Sequence, residues 1–390
     1  MMDHANLAEA LLRGGKYEGA LAAADMGIGS GNDLVPHYVN RALALQGLDR
    51  SSEALASCER ALAAAHDGQQ SGLVYDALAV IYTQLGEREA AYAAARRALD
   101  LPQSDLRALT TIGNVLAWHG ELAAALPFLE WHWIKEQRSN AERFANLTPW
   151  DGGDLSGRSL FVAHEQGAGD AIHTARYLPV LKARAKRLVV EAAPALERLL
   201  RDMDCADEIV ATNTSAEATG CDTYIRMMML PRLVGVEAGA PVPYLQARAG
   251  REAGTDLNIG ITWSGNPAHP FNFERSMSRE MVQPILARSD VRWVELVAEN
   301  FADFSETAAA IAGLDLVISV DTAVAHLAGA LGRPVWLMLP RRPDWRWSAF
   351  GESTHWYPTM RIFRETHGRW NTVVPRVVSE LETFVAAKRS

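Results

Sequence analysis

Apolar residues in the first third of the chain recur at helical spacing and within a repeating unit. Four segments share one pattern, a turn containing Gly or Asp followed by an alanine-rich helix: GGKYEGALAAA, LDRSSEALASC, LGEREAAYAAA and HGELAAALPFL. The equivalent small residues are Ala20, Ala54, Ala91 and Ala125, at spacings of 34, 37 and 34 residues. A small residue at this place favours close contact between paired helices, so the pattern predicts a stack of about four helical hairpins.

A period near 34 residues, with Gly15, Gly86 and Gly120 before the second helix, resembles the tetratricopeptide repeat. Each hairpin leaves one apolar face uncovered, so stacked hairpins form a curved slab whose concave side can take a peptide or a helix. The alternative is a scaffold or an oligomerisation surface. The sequence marks no groove contacts that would separate these two roles.

Beyond Trp150 the pattern changes to short apolar runs that alternate with helical segments. The runs are SLFVAHE, RLVVEAA, EIVATN, CDTYIRMM, NIGITWSG, RWVELVA, LVISV, PVWLMLP and TMRIF. Such alternation predicts parallel sheets flanked by helices. The Pro- and Gly-rich stretch PVPYLQARAGREAGTDLN divides the series, so we expect two Rossmann-like units facing a cleft. We predict helical repeats in residues 1–140, a connection in 141–157, one α/β domain in 158–250 and a second in 251–390.

Composition restricts the class of function. The chain of 390 residues has 38 basic and 47 acidic side chains, and a net charge of −9 argues against a nucleic-acid-binding surface. It shows neither a long apolar stretch nor a basic leader, which predicts no membrane span and a cytoplasmic location. Cys58, Cys205 and Cys221 are widely spaced and predict ordinary reduced thiols.

The stretch VDTAVAHLAGALGRPVW places Asp321 and Thr322 directly after the predicted strand LVISV. Open α/β folds bind ligands at the carboxyl edge of the sheet, and the free N–H groups at the start of the next helix favour an anion. The small side chain of Ala323 permits close approach of a ligand. The alternatives are an ordinary N-cap and, for His326, a packed histidine. The pattern GxxxxGK[ST] is absent, which excludes that type of nucleoside-triphosphatase loop.

Several motifs in fixed order resemble tetratricopeptide-fused glycosyltransferases related to the bacterial heptosyltransferases (glycosyltransferase family 9-like). They are HEQGAGDAIHTARYLPVL, PVPYL, GITWSGNPAHPFNFERSM, LDLVISVDTAVAHLAGALGRPVWLMLP, PDWRW and WYPTMRIFRE, and they cover nearly all of the chain from residue 158 onward. The resemblance implies an α + α/β architecture, in which an α-solenoid is followed by a GT-B fold of two Rossmann-like domains. It also implies a nucleotide sugar held mainly by the second domain, an acceptor approached from the first, and no metal or other cofactor.

The loop EQGAGDAIHT has two glycines that permit a tight turn beside a ligand, and Asp170 stands at the start of the next helix. A carboxylate in the cleft can take the proton of an acceptor hydroxyl. Through the motif GDxIHT, the resemblance implies that Asp170 is this base; a helix cap is the alternative. We assign an acceptor or phosphate loop to Gln166, Gly167, Gly169 and His173, with a structural histidine as the alternative for His173.

The loop TWSGNPAHPFNFERSM carries Arg275, whose planar guanidinium suits phosphate oxygens. Stabilising the departing nucleotide is the main electrostatic task when no metal takes part. A salt bridge to Glu274 or Glu299 is the alternative. Partly by analogy with the family's RS pair, we assign the donor side to Trp263, Ser264, Asn266, Arg275, Ser276, Asp321, Thr322, Ala323 and His326. The patch RRPDWRW, residues 341–347, is expected both to close over the nucleotide and to cover the sheet edge.

Three places depart from the family pattern. The chain has RWVELVAEN where SLQ is usual, Met229 where a serine is usual, and Asn272 where an aspartate is usual. These changes affect the loops expected to contact the base and ribose of the donor. They indicate either an altered donor or a module that has lost activity and survives as a binding platform.

Three hypotheses follow. The leading one is a metal-independent, inverting glycosyltransferase whose repeats select a protein acceptor such as flagellin, with glycan or lipid acceptors left open. The second is a non-catalytic adaptor with a degenerate GT-B module. The third is a nucleotide-sugar epimerase, which the repeats disfavour because they indicate a macromolecular partner. The sequence does not specify the sugar, the nucleotide base, the acceptor or the oligomeric state.

Overall fold

The computed structural model describes residues 3–31, 33–101, 106–137, 141–248, 257–267, 269, 272–341, 343–365 and 370–389. Within these residues, a helical first third is followed by two parallel sheets of five strands each, as the hydrophobic pattern predicts. The fold is therefore a helical array followed by the two Rossmann-like units of a GT-B fold. The predicted boundaries at residues 140 and 250 fall next to or within stretches outside the described residues, as does Arg342 of the predicted patch.

The helices of the first third pack as consecutive pairs within the described residues. They are α1 (His4–Arg13), α2 (Tyr17–Ser30), α3 (Leu34–Gly47), α4 (Ser51–Ala64), α5 (Gly68–Leu85), α6 (Arg88–Leu99), α7 (Leu106–Trp118) and α8 (Leu122–Gln137). Each pair is joined by a turn with one left-handed residue, at φ between 61° and 86°: Gly15, Asp49, Gly86 and Gly120. The four predicted alanines are fully buried between the helices. This confirms the hairpin pattern, while its identity as tetratricopeptide repeats stays a prediction.

The first sheet has the strand order β1-β5-β2-β3-β4, with parallel neighbours throughout. Its strands are β1 (Thr148–Pro149), β2 (Ser159–Ala163), β3 (Arg187–Ala192), β4 (Glu208–Ala211) and β5 (Thr223–Arg226). Its helices are α9 (Ala168–Thr174), α10 (Leu178–Arg184), α11 (Pro194–Asp202) and α12 (Leu230–Val234). Strand β1 was not predicted, because its two residues lie in the expected connection and form no apolar run.

The second sheet has the strand order β10-β9-β8-β6-β7 and is also parallel. Its strands are β6 (Asn258–Thr262), β7 (Arg292–Glu295), β8 (Leu316–Val320), β9 (Val335–Leu339) and β10 (Met360–Arg364). Its helices are α13 (Asn272–Arg275), α14 (Arg279–Leu286), α15 (Phe304–Ala312), α16 (Ala323–Ala330) and α17 (Val373–Arg389). Each predicted apolar run beyond Trp150 contains one of the strands β2 to β10, except for one residue at the end of β10.

One hydrophobic core extends through both α/β units. It contains Leu160 of β2, Val317 of β8 and Ala325 of α16, and it is continuous because α9 packs directly on α16. Leu126 of α8 belongs to the same core, so the last helical pair joins it too. Among the helices of the described residues, we find none with the length and apolarity needed to cross a bilayer.

Candidate functional site

The starts of two helices meet where the two α/β units join. Helix α9 follows β2 and helix α16 follows β8, so both begin at the carboxyl edge of their sheet. A side chain at Gly169 would place its Cβ 3.4 Å from the Cα of Ala323 and 3.1 Å from Cδ2 of His326. The absence of a side chain at Gly169 therefore permits the close approach. The structure thus brings three predicted site residues together at one junction.

The start of α16 has no side-chain cap. Thr322 occupies the N-cap position with extended backbone (φ −142°, ψ 172°), but its side chain makes no capping hydrogen bond. Its hydroxyl lies 3.3 Å from the hydroxyl of Ser319. The Ala325 N–H donates to the Thr322 carbonyl at 3.1 Å, so the N–H groups of Ala323 and Val324 are the donors of this helix start that a side-chain cap would otherwise satisfy.

Arg275 lies beside this helix start. Its Nη1 donates to the carbonyl oxygen of Asp321 at 3.0 Å, and a Cβ at Gly265 would lie 2.8 Å from its Nη2. Its Nε is buried and has no hydrogen-bond partner in the described part of the chain. A guanidinium with an unused donor at an uncapped helix start suits phosphate oxygens.

The remaining predicted donor residues hold or line the loop that carries Arg275. The hydroxyl of Ser276 donates to Asn272 Oδ1 at 2.8 Å and accepts from the Gly265 N–H at 3.0 Å, so both side chains shape the loop. Ser264 and Asn266 are exposed on the loop. Trp263 packs against the second sheet's core and lies under a guanidinium, with Cζ of Arg279 5.4 Å from the ring centroid.

Asp170 faces the junction from α9 and also caps that helix. Its Oδ2 accepts from the Gly167 N–H at 2.8 Å, and its Oδ1 forms an ion pair with Arg346. The side chain is 24% exposed. The cap interpretation of Asp170 therefore holds geometrically, while its role as a base stays a prediction. Of the other predicted loop residues, Gly167 and Gln166 are exposed, and Gln166 has φ of 61°.

Arg346 is a residue of the junction that the sequence analysis did not single out. It lies within the predicted patch, but its partner Asp170 is 176 residues away in the chain. Its Nε also donates to Nδ1 of His173 at 3.3 Å, and its Nη1 pairs with Asp344 at 2.8 Å. Burial lowers the pKa of Arg346, but the carboxylates of Asp344 and Asp170 together raise it above its ordinary value. The feature of the sequence that could have indicated Arg346 is its position between two tryptophans, Trp345 and Trp347.

Asp321 is buried at the carboxyl end of β8. Burial raises the pKa of Asp321 to about 7, and the nearby Asp344 carboxylate acts in the same direction. Trp347, Arg275 and Arg346 act in the opposite direction. A carboxyl group that titrates near neutral pH therefore lies next to the open start of α16.

The two predicted histidines are buried and uncharged. Burial lowers the pKa of His173 and that of His326 well below the ordinary value, and the positive charge of Arg346 adds to the effect. His173 packs edge-on against Trp356, with ring centroids 4.4 Å apart. His326 stacks on Trp347 and lies 3.0 Å from the hydroxyl of Tyr357 through Nδ1. Both are packed, hydrogen-bonded histidines, as the alternative interpretation expected.

Two further carboxylates at the edge of the first sheet were not predicted. Glu165 accepts from the Met228 N–H at 3.0 Å and pairs with Arg226 at 3.4 Å, and burial raises the pKa of Glu165. Glu191 is fully buried on β3 and forms an ion pair with Arg143. Within the described residues, no group of three or more His, Cys, Asp or Glu side chains is arranged to hold a metal ion.

Residues 264–338 match the family model described as Glycosyltransferase family 9 (heptosyltransferase). The matched segment contains Arg275, Asp321, Thr322 and His326. It confirms the predicted resemblance to the heptosyltransferases and supports glycosyl transfer as the general activity.

Protein FlbA of Caulobacter vibrioides is 24% identical over 432 aligned residues, which cover 96% of this chain and 65% of FlbA. The chain thus spans about two thirds of that relative's length. The solved structure of a glycosyl transferase family 9 protein from Veillonella parvula is 13% identical, with a TM-score of 0.42, over 62% of this chain and 100% of that one. The E. coli ADP-heptose lps heptosyltransferase II is also 13% identical, with a TM-score of 0.40, over 60% of this chain and 100% of that one.

Proposed function

We propose that this protein transfers a sugar from a nucleotide-activated donor to an acceptor by a single, inverting displacement that needs no metal. The observation that carries the proposal is the uncapped start of α16 beside the unused Nε of Arg275. A helix start favours an anion by about 0.3–1 kcal/mol, before the backbone hydrogen bonds are added. The arginine supplies the permanent positive charge that a departing diphosphate requires in the absence of a metal.

Asp170 is the proposed base of this reaction. It reaches the junction from the opposite α/β unit and keeps part of its side chain exposed. The acceptor hydroxyl becomes acidic as its oxygen bonds to the anomeric carbon, and a carboxylate there can take the proton. Attack on the face opposite the departing diphosphate inverts the configuration at the anomeric carbon.

The proposed acceptor is a protein recruited by the helical repeats, with flagellin or another surface protein as the expected type. The supporting observation is that the repeats contact the segment carrying Arg346: the Trp118 indole donates to the carbonyl of Pro343 at 3.1 Å. An acceptor held by the repeats would therefore lie near the junction. The proposal includes a cytoplasmic location, supported by three free cysteines, of which Cys58 and Cys205 are buried.

A non-catalytic adaptor is the second candidate function. The contact between Gly169 and Ala323 favours it, because the first turn of α9 lies against the helix start that would hold the diphosphate. In a transferase, the diphosphate must then sit beside this contact, on the Arg275 side. In an adaptor, the contact would only join the two α/β units.

Calorimetry with ADP, GDP, UDP and CDP separates the two candidates. We expect one nucleoside diphosphate to bind the full chain, and Arg275→Met to weaken it about 10- to 100-fold, since a hydrogen bond to a charged group contributes about 1.5–3 kcal/mol. Arg288→Met is the matched control, because Arg288 pairs with Asp290 in the same unit, away from α16. If none of the four binds to folded wild-type protein, the transferase loses its donor and the adaptor is the better description.

A further inference from the structure

A segment after β9, residues 343–350, connects the helical repeats to the junction of α9 and α16; we call it the strap. Trp118, at the end of α7, holds both of its ends: the indole donates to the Pro343 carbonyl at 3.1 Å, and the Ala349 N–H donates to the Trp118 carbonyl at 2.8 Å. Three consecutive residues in the middle of the strap are buried: Trp345, Arg346 and Trp347.

Arg346 is the strap residue that reaches the first α/β unit. It pairs with Asp170 through Nη2 and contacts His173 through Nε, and both partners lie on α9. Its residue exposure is 6%, so water does not replace these contacts. The ion pair therefore depends on the two α/β units remaining in contact.

Asp170 is held at both oxygens but is not blocked. Oδ1 forms an ion pair with Arg346, and Oδ2 accepts a hydrogen bond from the Gly167 N–H. The two contacts together fix the rotamer of Asp170. A carboxylate has about four lone-pair sites, which leaves each oxygen able to accept one more proton or hydrogen bond. The two contacts therefore fix the carboxylate and still leave it room to accept a proton.

Stability alone is a poor explanation for Arg346. Its guanidinium lies 4.5 Å from the ring centroid of Trp345 and pairs with the carboxylates of Asp170 and Asp344. Replacing a buried ion pair by apolar residues is often neutral or stabilising, because the charges need not be desolvated. A buried arginine that contacts the proposed base is better explained by the orientation of that base.

We propose that Arg346 is a positioning residue for sugar transfer, which crosses from the second α/β unit to align the carboxylate of Asp170 with the acceptor hydroxyl. This inference rests on the proposed function. In the step, the acceptor O–H bond breaks and its proton moves to Asp170, while the acceptor oxygen bonds to the anomeric carbon. The bond from that carbon to the diphosphate oxygen breaks, and its electron pair leaves with the nucleoside diphosphate. Arg346 keeps its proton throughout.

The test uses the full chain and measures release of nucleoside diphosphate from a donor panel of ADP-heptose and ADP-, GDP-, UDP- and CDP-activated hexoses, with water in place of the acceptor hydroxyl as the group that takes the sugar. We expect Arg346→Ala to lower kcat at least about 10-fold, toward the level of Asp170→Asn, because a small misplacement of a reacting group is costly. The KM for the donor should change less than about twofold, since Arg275 and α16 hold the diphosphate. Arg346→Lys, or guanidinium added to Arg346→Ala at a non-denaturing concentration, should restore part of kcat.

Arg198→Met is the matched control. Arg198 of α11 also forms an ion pair between the two α/β units, with Asp303 at 2.8 Å, but it does not contact α9. Its removal should leave kcat unchanged. An equal loss of kcat in Arg198→Met would show that kcat depends on contact between the units and not on the alignment of Asp170. That result would overturn the proposal.

Other outcomes also test the role of Arg346. Wild-type kcat in folded Arg346→Ala, or no recovery with either lysine or guanidinium, overturns the role of Arg346. If Arg346→Ala does not fold, Arg346→Gln takes its place, and a folded Gln variant with wild-type kcat overturns the role equally. A wild-type chain that releases no nucleoside diphosphate from any donor in the panel overturns the proposed function itself, and the role of Arg346 with it.

Discussion

The carboxyl groups of Asp170 and Asp321 lie at the same junction but have different neighbours. Asp170 has an arginine at one oxygen and an N–H at the other, whereas Asp321 is buried with a second carboxyl group, Asp344, nearby. Burial disfavours the charged form of Asp321, and this raises its pKa to about 7. The surroundings of Asp170 thus stabilise its charged form, whereas burial favours the protonated form of Asp321.

The pKa of Asp321 makes a prediction about stability. An unfolded aspartate has a pKa near 3.9, so between about pH 4 and pH 7 the folded chain holds a proton that the unfolded chain has released. The contribution of Asp321 to the free energy of unfolding must then fall as pH rises through this range and level off above it. Asparagine cannot ionise, so Asp321→Asn should gain stability over wild type at pH 8 relative to pH 5, by at most about 2.7 kcal/mol, because about two pH units separate pH 5 from the folded pKa.

Urea unfolding of the two proteins at pH 5 and pH 8 measures this difference. The exposed Asp154 gives the control, because a hydrogen bond from Ser156 lowers its pKa and Asp154→Asn should show no gain at pH 8. Equal differences between wild type and Asp321→Asn at both pH values would show that Asp321 is ionised in the folded state.

His173 contacts the guanidinium of Arg346. Its lowered pKa keeps the ring neutral near pH 7, and Nδ1 accepts from Arg346, so the ring proton lies on Nε2. A neutral ring that accepts from the arginine helps to fix the guanidinium beside Asp170. The contact with Arg346 therefore explains why a histidine at this position of the GDxIHT motif is useful without direct contact with a substrate.

At the scale of elements, the packing of α9 on α16 sets the shape of the junction. A Cβ at Gly169 would lie 3.1 Å from Cδ2 of His326, a tight contact, and a larger side chain would meet the first turn of α16. We expect Gly169→Val to push the helices apart, to lower the free energy of unfolding by about 1–3 kcal/mol, and to lower kcat by disturbing the Asp170–Arg346 pair. Thermal unfolding and donor turnover measure the two effects.

Gly29→Val is the matched control for this change. Gly29 also lies in a helix, α2, but nothing lies within 4 Å of a Cβ built there. Its substitution should leave donor turnover unchanged. If Gly169→Val also retains wild-type turnover, the contact between the two helix starts is not important for the reaction.

The elements were more predictable from the sequence than the site. Strands of a parallel sheet are covered on both faces, so β2, β3, β8 and β9 appear as apolar runs that a single sequence reveals. The turn-and-alanine pattern of the repeats is equally local. Strand β1 has no such run, because it is two residues long, and it was missed.

The residues of the junction also differ in how far the sequence could predict their positions. Asp321, Thr322 and Gly169 follow strands within a few residues, so strand order alone places them at the sheet edges. Arg346 could not be paired with Asp170 in this way, because the contact depends on how the two α/β units dock. The uncapped state of Thr322 was also beyond the sequence, since threonine is a common N-cap.

At the scale of the whole molecule, the strap connects the helical repeats to the junction of α9 and α16. The same tryptophan, Trp118, bonds both ends of the strap, and Arg341 next to it forms an ion pair with Asp49 in the turn of the second helical pair. His119 and Phe350 add a ring contact at 5.3 Å. A partner that moved the repeats would therefore also move the segment that carries Arg346.

This coupling predicts the behaviour of Trp118→Phe, which removes the indole donor but keeps an aromatic ring. The lost hydrogen bond should lower the free energy of unfolding by about 1 kcal/mol. The strap should exchange its amide hydrogens faster, because one of its ends is no longer held.

Trp293→Phe is the matched control. That indole also donates to a backbone carbonyl, of Arg288 at 3.0 Å, but Trp293 lies on β7, far from the strap in sequence. Hydrogen exchange over residues 343–350 should rise in Trp118→Phe alone, with kcat falling and nucleoside diphosphate affinity unchanged. Equal exchange in the two variants would mean that the strap keeps its place without the repeats, and Arg346 would then act independently of them.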